Sequence, residues 1–295
     1  MSKLNLVALS REPISEKLVF ELKDSVMKLG IALHTIGSQI SNGVYYSERW
    51  ESNQLLDISQ RENLRLIAAR FNSDLCFLNA DLNPTDIKVL AMDMDSTLIN
   101  IECIDEIADF IGKKAAVAQI TEATMRGEIK DFQESLRRRV ALLEGVSADA
   151  LEAVYRERLQ ANPGAAELIA GADARGLYTL LVSGGFTFFT EKLRQQLGFK
   201  QAQANTLEII NGKLTGKVLG EIVDGAAKAA YLDKACSALG CTKANAMTIG
   251  DGANDLIMMS GSGISIAYKS KPIVKEKADA AFDRVGLDAA LLLIS

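Results

Sequence analysis

The stretch that decides the fold is Lys88-Val89-Leu90-Ala91-Met92-Asp93-Met94-Asp95-Ser96-Thr97, an apolar run that ends in two acids. A short apolar run of this kind is typical of a strand buried on both faces of a parallel sheet. Similar runs recur at 178–182, 246–249 and 263–267, with helical stretches between them. This alternation predicts a doubly wound α/β sheet for residues 83–295.

Three of these predicted strands end in loops of small, polar or acidic residues. The loops are 93–97, Ser183-Gly184-Gly185 and Gly250-Asp251-Gly252. In open α/β sheets the active site lies beyond the carboxyl ends of the strands, so we expect the three loops to converge. Residues 104–160 have helical periodicity and no strand candidate, which predicts a helical cap inserted over this edge.

Residues 1–82 read as a separate, smaller unit. Its predicted elements are strands at 5–10, 31–36, 44–50 and 75–78 and helices at 13–29 and 59–71. The order βαββαβ predicts an α+β, ferredoxin-like sandwich with a four-stranded antiparallel sheet. The turn-rich residues 79–84 form the predicted linker to the larger domain.

The composition restricts the chemistry that is available to the chain. The 295 residues are 48% hydrophobic and 24% charged, which is typical of a globular protein with a proper core. The single histidine, His34, excludes a polyhistidine metal site, and the four cysteines form no C-x-x-C pair and are expected to be buried thiols. A net charge of −5 argues against a nucleic-acid partner. If the chain is an enzyme, carboxylates must therefore donate and accept the protons in its reaction.

No apolar run approaches the roughly 18 residues of a membrane span. Near the N-terminus, Arg11 and Glu12 interrupt the apolar stretch before a signal sequence could form. We therefore expect a cytoplasmic protein without a membrane partner.

Asp93 and Asp95 are candidates for a nucleophile and an acid/base. If strand geometry persists beyond residue 92, the two carboxylates point to one face. An aspartate can attack phosphorus and form an acyl phosphate, and a second carboxylic acid can protonate the leaving oxygen and later deprotonate water. The isolated string also fits an ordinary surface loop.

Asp251 is the third candidate acid, at the end of another predicted strand. With Asp93 and the backbone near Asp95 it would form an oxygen cage that suits Mg²⁺. Asn254 and Asp255 follow at helical spacing. Ser183-Gly184-Gly185 can hold phosphoryl oxygens, and Lys228 can supply a fixed cation, although each alone also fits a turn or a solvated helix face. The order of all the elements along the chain favours a site.

These residues resemble a known family. Asp93-Met94-Asp95-Ser96-Thr97-Leu98, Val182-Ser183-Gly184-Gly185-Phe186, Lys228 and Gly250-Asp251-Gly252-Ala253-Asn254-Asp255 resemble the four motifs of haloacid dehalogenase superfamily phosphatases. Residues 102–107, 135–140 and 211–216 are similar to the phosphoserine phosphatase family within it. The N-terminal unit resembles the amino-acid-binding ACT-type modules attached to some such enzymes.

The resemblance implies a Mg²⁺-dependent hydrolase of L-phosphoserine, in the last step of serine biosynthesis. Asp93 would be the phosphorylated nucleophile and a metal ligand, Asp95 the acid/base with its carbonyl on the metal, and Asp251 the third ligand. Further implied roles are phosphoryl binding by Ser183, Gly184 and Lys228 with Asn254 nearby, and orientation of Lys228 by Asp255.

The cap would select the substrate. By resemblance, Glu102 pairs with the substrate ammonium and Arg139 with its carboxylate, for which a planar guanidinium is suited. Met125 and Phe132 resemble the apolar lid residues of the family, although they also fit ordinary cap packing.

One alternative function is excluded and two remain open. P-type ATPases share the aspartate nucleophile but carry a threonine in place of Asp95, and the chain has no candidate span, so that alternative fails. A phosphotransferase that uses an alcohol such as homoserine instead of water fits the same residues. An amino-acid-sensing protein with a secondary phosphatase domain is a further alternative. Separately, the N-terminal unit is a candidate surface for formation of a homodimer.

Overall fold

The strands of the computed structural model form two separate sheets. The structure describes residues 3–126, 128–129 and 131–295. The side chain of Met125 lies outside this description, so its lid role stays a prediction.

The first sheet is antiparallel and lies in the N-terminal unit. Its elements are β1 (Leu4–Ser10), α1 (Glu16–Met27), β2 (Leu33–Thr35), β3 (Ile40–Ser41), β4 (Tyr46–Ser52), α2 (Ile58–Ala69) and β5 (Ser73–Asn79). The strand order is β2-β4-β1-β5, with β3 on β4. The prediction of four strands was wrong, because Asn42 accepts hydrogen bonds from the amides of Val44 and Tyr45 (3.0 and 2.8 Å) and folds β3 back onto β4. That the unit is an ACT-type module stays a prediction.

The second sheet has seven strands in the order β12-β11-β10-β6-β7-β8-β9. The strands are β6 (Val89–Met92), β7 (Tyr178–Phe186), β8 (Gln201–Ile210), β9 (Lys213–Leu219), β10 (Ala246–Gly250), β11 (Ile264–Tyr268) and β12 (Ala280–Phe282). All neighbours pair in parallel except β8 and β9. The predicted doubly wound sheet is therefore confirmed, with an antiparallel edge strand that was not predicted.

Helices cover both faces of this sheet. They are α7 (Ala165–Ala174), α8 (Thr187–Leu197), α9 (Gly225–Ala238), α10 (Leu256–Met259) and α11 (Pro272–Lys277), following the cap helices α3 (Cys103–Asp109), α4 (Lys114–Met125), α5 (Phe132–Ala141) and α6 (Asp149–Glu157). Along β6, Val89 packs in one apolar cluster with Leu232 of α9, while Leu90 packs in another with Leu168 of α7. Burial on both faces explains why β6 is continuously apolar.

The cap segment is helical as predicted. Ile107, Leu136 and Val140 are buried, as expected of inward positions, and Phe132 is half-buried. The inward prediction for Phe110 was wrong: α3 ends just before this residue, its side chain is 38% exposed, and the Arg158 guanidinium lies 4.4 Å from its ring centroid.

The glycines after Val182 do not form the predicted loop. Strand β7 continues to Phe186, but its pairing with β8 shifts from Val182–Gln203 to Phe186–Asn205. Four steps along β7 therefore match two steps along β8, so Ser183, Gly184 and Gly185 form a bulge at the carboxyl end of the strand.

The N-terminal unit packs on the larger one. Val7 and Leu9 share an apolar cluster with Val285. The Tyr45 hydroxyl donates to Asp288 (2.8 Å), and Asp74 accepts hydrogen bonds from the amides of residues 283–285. The face of the first sheet that lacks helices is thus covered by the second unit.

The structure shows where the single histidine and the four cysteines lie. His34 is exposed on β2 in the N-terminal unit, and Cys76, Cys103 and Cys236 are buried free thiols, whereas Cys241 is half-buried. Across the described ranges of the chain, no helix has the length and apolar character needed to cross a membrane.

Candidate active site

Three neighbouring strands place the predicted residues at one edge of the second sheet. In the order β10-β6-β7, Asp251 follows β10, Asp93 follows β6 and Ser183 lies near the end of β7. The Thr97 hydroxyl donates to Asp251 (3.0 Å), which links the loops after β6 and β10. The structure therefore brings together the three motifs expected to converge.

The chain leaves strand geometry at Asp93. The Asp93 amide still donates to the Ile249 carbonyl (3.0 Å), but residues 94–98 form one wide turn. Within this turn Ser96 has a φ of +57°, a left-handed conformation that is uncommon for a residue with a Cβ. The condition on which the alignment of Asp93 and Asp95 rested, strand geometry beyond residue 92, is not met, although the backbone is extended at both residues (ψ of 162° and 135°).

Asp95 lies against the bulge of β7. A Cβ on Gly185 would lie 2.7 Å from Asp95 Oδ2, so only glycine leaves room for the carboxylate. Among the residues that the structure describes, Asp95 Oδ1 is buried without a hydrogen-bond partner. Burial and the charge of Glu102 raise the pKa of Asp95 to about 8.

Asp93, Asp251 and Asp255 form a cluster in which one carboxylate oxygen from each residue lies within 4.8 Å of the other two. Both oxygens of Asp255 are engaged, by Lys228 Nζ (2.7 Å) and by the amides of Asp251 and Gly252 (3.2 and 3.0 Å). Asp93 has two such partners, the Met94 amide on Oδ1 (2.7 Å) and Lys228 Nζ on Oδ2 (2.8 Å), and Asp251 accepts a hydrogen bond from Thr97 on Oδ1 (3.0 Å). Asp255 therefore has the most protein donors of the three carboxylates.

The electrostatics of this cluster favour a divalent cation. Burial and the charge of Asp255 raise the pKa of Asp93 well above its ordinary value, although Lys228 opposes them. The same two causes raise the pKa of Asp251 to about 7. Crowded carboxylates bind a hard cation through oxygen, and its charge favours their ionised forms. The acidic group therefore fits a metal site.

Lys228 is fully buried on α9. Its Nζ lies 2.8 Å from Asp93 and 2.7 Å from Asp255. Burial alone would lower the pKa of Lys228, but Asp255 and Asp93 raise it, so the ammonium stays charged. In the sequence the isolated lysine also fitted a solvated helix face, and the two acids that pair with it lie in other segments of the chain.

Ser183 and Gly184 lie in the bulge of β7, and Asn254 lies in the loop that follows β10. Ser183 is buried, and its hydroxyl oxygen accepts a hydrogen bond from the Gly185 amide (2.9 Å). A Cβ on Gly184 would lie 3.1 Å from the Phe132 ring, so the cap closes directly over the bulge. Asn254 lies in the 3-10 turn Ala253–Asp255.

Glu102 and Arg139 lie on the cap side. Glu102 is exposed just before α3, and its Oε1 accepts a hydrogen bond from the Ser96 hydroxyl (2.7 Å). Burial lowers the pKa of half-buried Arg139, whereas the charges of Glu102, Asp105 and Asp95 raise it. The neighbouring Arg138 is exposed and pairs with Glu134 (2.7 Å). Among the three consecutive arginines, 137–139, only Arg139 is half-buried.

Sequence reasoning missed three residues that hold the site in place: Ser96, Gln133 and Asn205. Gln133 of α5 donates to Asp224 (2.9 Å), the N-cap residue of α9. Asn205 of β8 bonds the β7 bulge. Ser96 and Gln133 bond to the side chains of Glu102 and Asp224, and Asn205 bonds to backbone groups of residues far from it along the chain. No local sequence pattern marks such partners, so these contacts required the tertiary structure.

This combination of sheet, cap and acidic cluster defines a haloacid dehalogenase-like hydrolase. A family model of haloacid dehalogenase-like hydrolases matches residues 90–260. A phosphoserine phosphatase from Polaromonas sp. is 53% identical over 218 residues, which cover 72% of this chain and 92% of that protein. The chain belongs to the phosphoserine phosphatase family.

Solved structures agree with this assignment. The unliganded crystal structure of a probable phosphoserine phosphatase from Vibrio cholerae covers 98% of this chain and 86% of its own, at a TM-score of 0.80 and 34% identity. A phospho-aspartyl intermediate analogue of phosphoserine phosphatase covers 71% of this chain and 99% of its own, at a TM-score of 0.66 and 39% identity.

Proposed function

We propose that the chain hydrolyses L-phosphoserine to L-serine and phosphate through an aspartyl phosphate. The observation that carries the proposal is the position of Asp93, whose carboxylate lies 2.8 Å from the buried Lys228 ammonium and beside two further acids. A carboxylate in such a setting can approach a phosphate dianion because a fixed cation balances the charge.

The reaction has two displacements. In the first, an Asp93 oxygen bonds to phosphorus, the bond from phosphorus to the serine oxygen breaks, and Asp95 gives that oxygen its proton. In the second, Asp95 takes a proton from water, the water oxygen bonds to phosphorus, and the bond to Asp93 breaks. Each step leaves Asp95 in the protonation state that the next one requires.

Ser183, the Gly184 amide and Lys228 hold the phosphoryl oxygens in this proposal, with Asn254 nearby. Asp255 orients Lys228, since both of its oxygens accept hydrogen bonds from protein groups. These interactions fix charge where it develops during the transfer and need no rearrangement.

Mg²⁺ is the cation we propose for the site, bound by Asp93, Asp251 and the carbonyl of Asp95. The all-oxygen set supports Mg²⁺ over zinc or copper. When bound, the ion supplies a Lewis acid that polarises the phosphoryl group.

Glu102 and Arg139 select the substrate in this proposal. Phosphoserine carries one ammonium and one carboxylate, which match one acidic and one basic side chain on the cap. The hydrogen bond from Ser96 holds Glu102, and the partial burial of Arg139 strengthens its charge interactions.

Phosphate release from a substrate panel tests the function. With Mg²⁺, we expect kcat/KM for L-phosphoserine to exceed that for sugar phosphates and other phosphorylated amino acids by at least about tenfold. Chelation should abolish release, and added Mg²⁺ should restore it. Phosphohomoserine that accumulates faster than free phosphate in the presence of homoserine would instead establish a transferase.

Arg139→Ala tests the selection of the carboxylate. We expect kcat/KM for phosphoserine to fall about 100-fold, because a charge-assisted pair is lost. Phosphoethanolamine, which lacks the carboxylate, should be affected less than about threefold. Arg138→Ala is the matched control on the same helix. Equal losses on both substrates would exclude Arg139 as the carboxylate anchor.

We also propose a division into an ACT-like domain, residues 1–82, and a phosphatase domain, residues 83–295, whose cap spans about 104–160. The contacts of Tyr45 and Asp74 with the larger domain support a structural role for the smaller one. The exposed apolar side chains on its helices, Phe20, Met27 and Leu66, support association of two copies there.

A further inference from the structure

We propose that Asn205 is the positioning residue that sets the phosphate-binding bulge of β7 and aligns it with helix α9. This inference rests on the proposed function, because it assigns the bulge to the phosphoryl group of the substrate. Asn205 lies on β8 and touches none of the reacting carboxylates directly.

The bulge leaves a backbone carbonyl without a strand partner. Between Val182 and Phe186 the register of β7 against β8 shifts by two residues, so the regular ladder is interrupted there. The Asn205 side chain replaces the missing partner, since its Nδ2 donates to the Gly184 carbonyl at 2.8 Å. This bond fixes the orientation of the peptide that follows Gly184.

The other end of the same amide reaches a different element. Asn205 Oδ1 accepts a hydrogen bond from the Val223 amide at 2.8 Å. Val223 precedes Asp224, whose carboxylate caps α9 through the Ala227 amide (2.9 Å), and Lys228 is the next residue of that helix. One side chain therefore connects the bulge to the start of the helix that carries the buried cation.

The burial of Asn205 makes this connection rigid. The side chain is 1% exposed, so water does not compete for either bond. The two partners also fix which way the Asn205 side-chain amide points. The Gly184 carbonyl requires the NH₂ group as a donor, and the Val223 backbone N–H requires the side-chain oxygen as an acceptor. A buried polar group that loses its partner is costly, so the bulge and α9 stay in register.

Asn205→Asp isolates this role. The substitution keeps an acceptor for Val223 but places a carboxylate oxygen against the Gly184 carbonyl, and the two acceptors repel. Asn245→Asp is the matched control: Asn245 Nδ2 donates to the Asp86 carbonyl (2.9 Å) and Oδ1 accepts from the Thr242 amide (3.2 Å), just before β10 and away from the site.

The experiment measures binding of inorganic phosphate and of L-serine to the Mg²⁺-loaded protein by calorimetry, beside thermal unfolding. For Asn205→Asp we expect phosphate affinity to fall at least about tenfold, equal to about 1.4 kcal/mol, with serine affinity changed less than about twofold. Asn245→Asp should change neither. A general loss of structure would lower the affinity for phosphate and for serine together.

Unchanged phosphate affinity, or equal losses for phosphate and serine, would overturn the proposal. Asn205→Ser, which is smaller and uncharged, replaces Asn205→Asp if that variant does not fold. Failure of both to fold would assign Asn205 to stability alone and would also overturn it. Binding needs no turnover, so the two proposals can fail separately. If the wild-type protein does not hydrolyse phosphoserine but Asn205→Asp still loses phosphate affinity, the proposed function is contradicted and this inference stands.

Discussion

Asp93→Asn is expected to abolish phosphoserine turnover, with a loss on the order of 10⁴-fold or more, because the amide is not a nucleophile. The fold should persist. Asparagine has nearly the same shape, Lys228 keeps its bond to Asp255 (2.7 Å), and a crowded negative charge is removed. We expect the free energy of unfolding without metal to stay within about 1 kcal/mol of the wild type.

The measurements are kcat with saturating phosphoserine and the denaturant midpoint. Asp86→Asn, at an exposed position just before β6, is the matched control and should retain full activity. Turnover by Asp93→Asn within tenfold of the wild type would show that another group attacks phosphorus.

Lys228→Met is expected to have the second largest effect, on stability as well as activity. It removes the only basic group paired with Asp93 and Asp255 among the described residues. Leaving buried carboxylates without their cation costs about 3–5 kcal/mol of unfolding free energy. Loss of the charge opposite the phosphoryl group should lower kcat by about 10²-fold or more.

Lys234→Met, on an exposed position of the same helix, provides the control and should change unfolding by at most about 0.5 kcal/mol. Chemical denaturation and kcat, both measured with Mg²⁺, test the prediction. An unfolding free energy equal to that of the control variant would contradict the assignment of Lys228 as the balancing charge.

Much of the catalytic edge was predictable because its signals are local. The apolar run of β6 must be buried on both faces, and the acids that follow it lie at the carboxyl end of a strand. The convergence of Asp93 and Asp251 then followed from a general rule of open α/β sheets. Neither inference needed a long-range contact.

The second part of the sheet was not predictable in this way. Strand β8 contains Gln201, Gln203, Asn205 and Glu208 and has no continuous apolar run, so its pairing with β7 comes from backbone contacts and tertiary context. The β7 bulge was missed for the same reason. The bulge depends on Asn205, which lies on β8. Because β8 was not predicted, the role of Asn205 in shaping the site was not predicted either.

Individual orientations also depended on long-range structure. Asp95 lies in the turn of residues 94–98 and not in a strand, and the left-handed Ser96 redirects the chain immediately after it. The buried Lys228 pairs with Asp93 and Asp255, which lie far apart in the sequence. The spacing of motifs along the sequence identifies such residues, whereas the fold determines which groups surround their side chains.

Trapping the covalent intermediate tests the central claim most directly. The wild-type protein with Mg²⁺ and ³²P-labelled phosphoserine is quenched in acid within one turnover, and the labelled peptide is mapped by mass spectrometry. We predict an acyl phosphate on Asp93 that forms and decays at rates consistent with kcat. Label on any other residue, or phosphate release with no labelled protein at any time, would contradict the account.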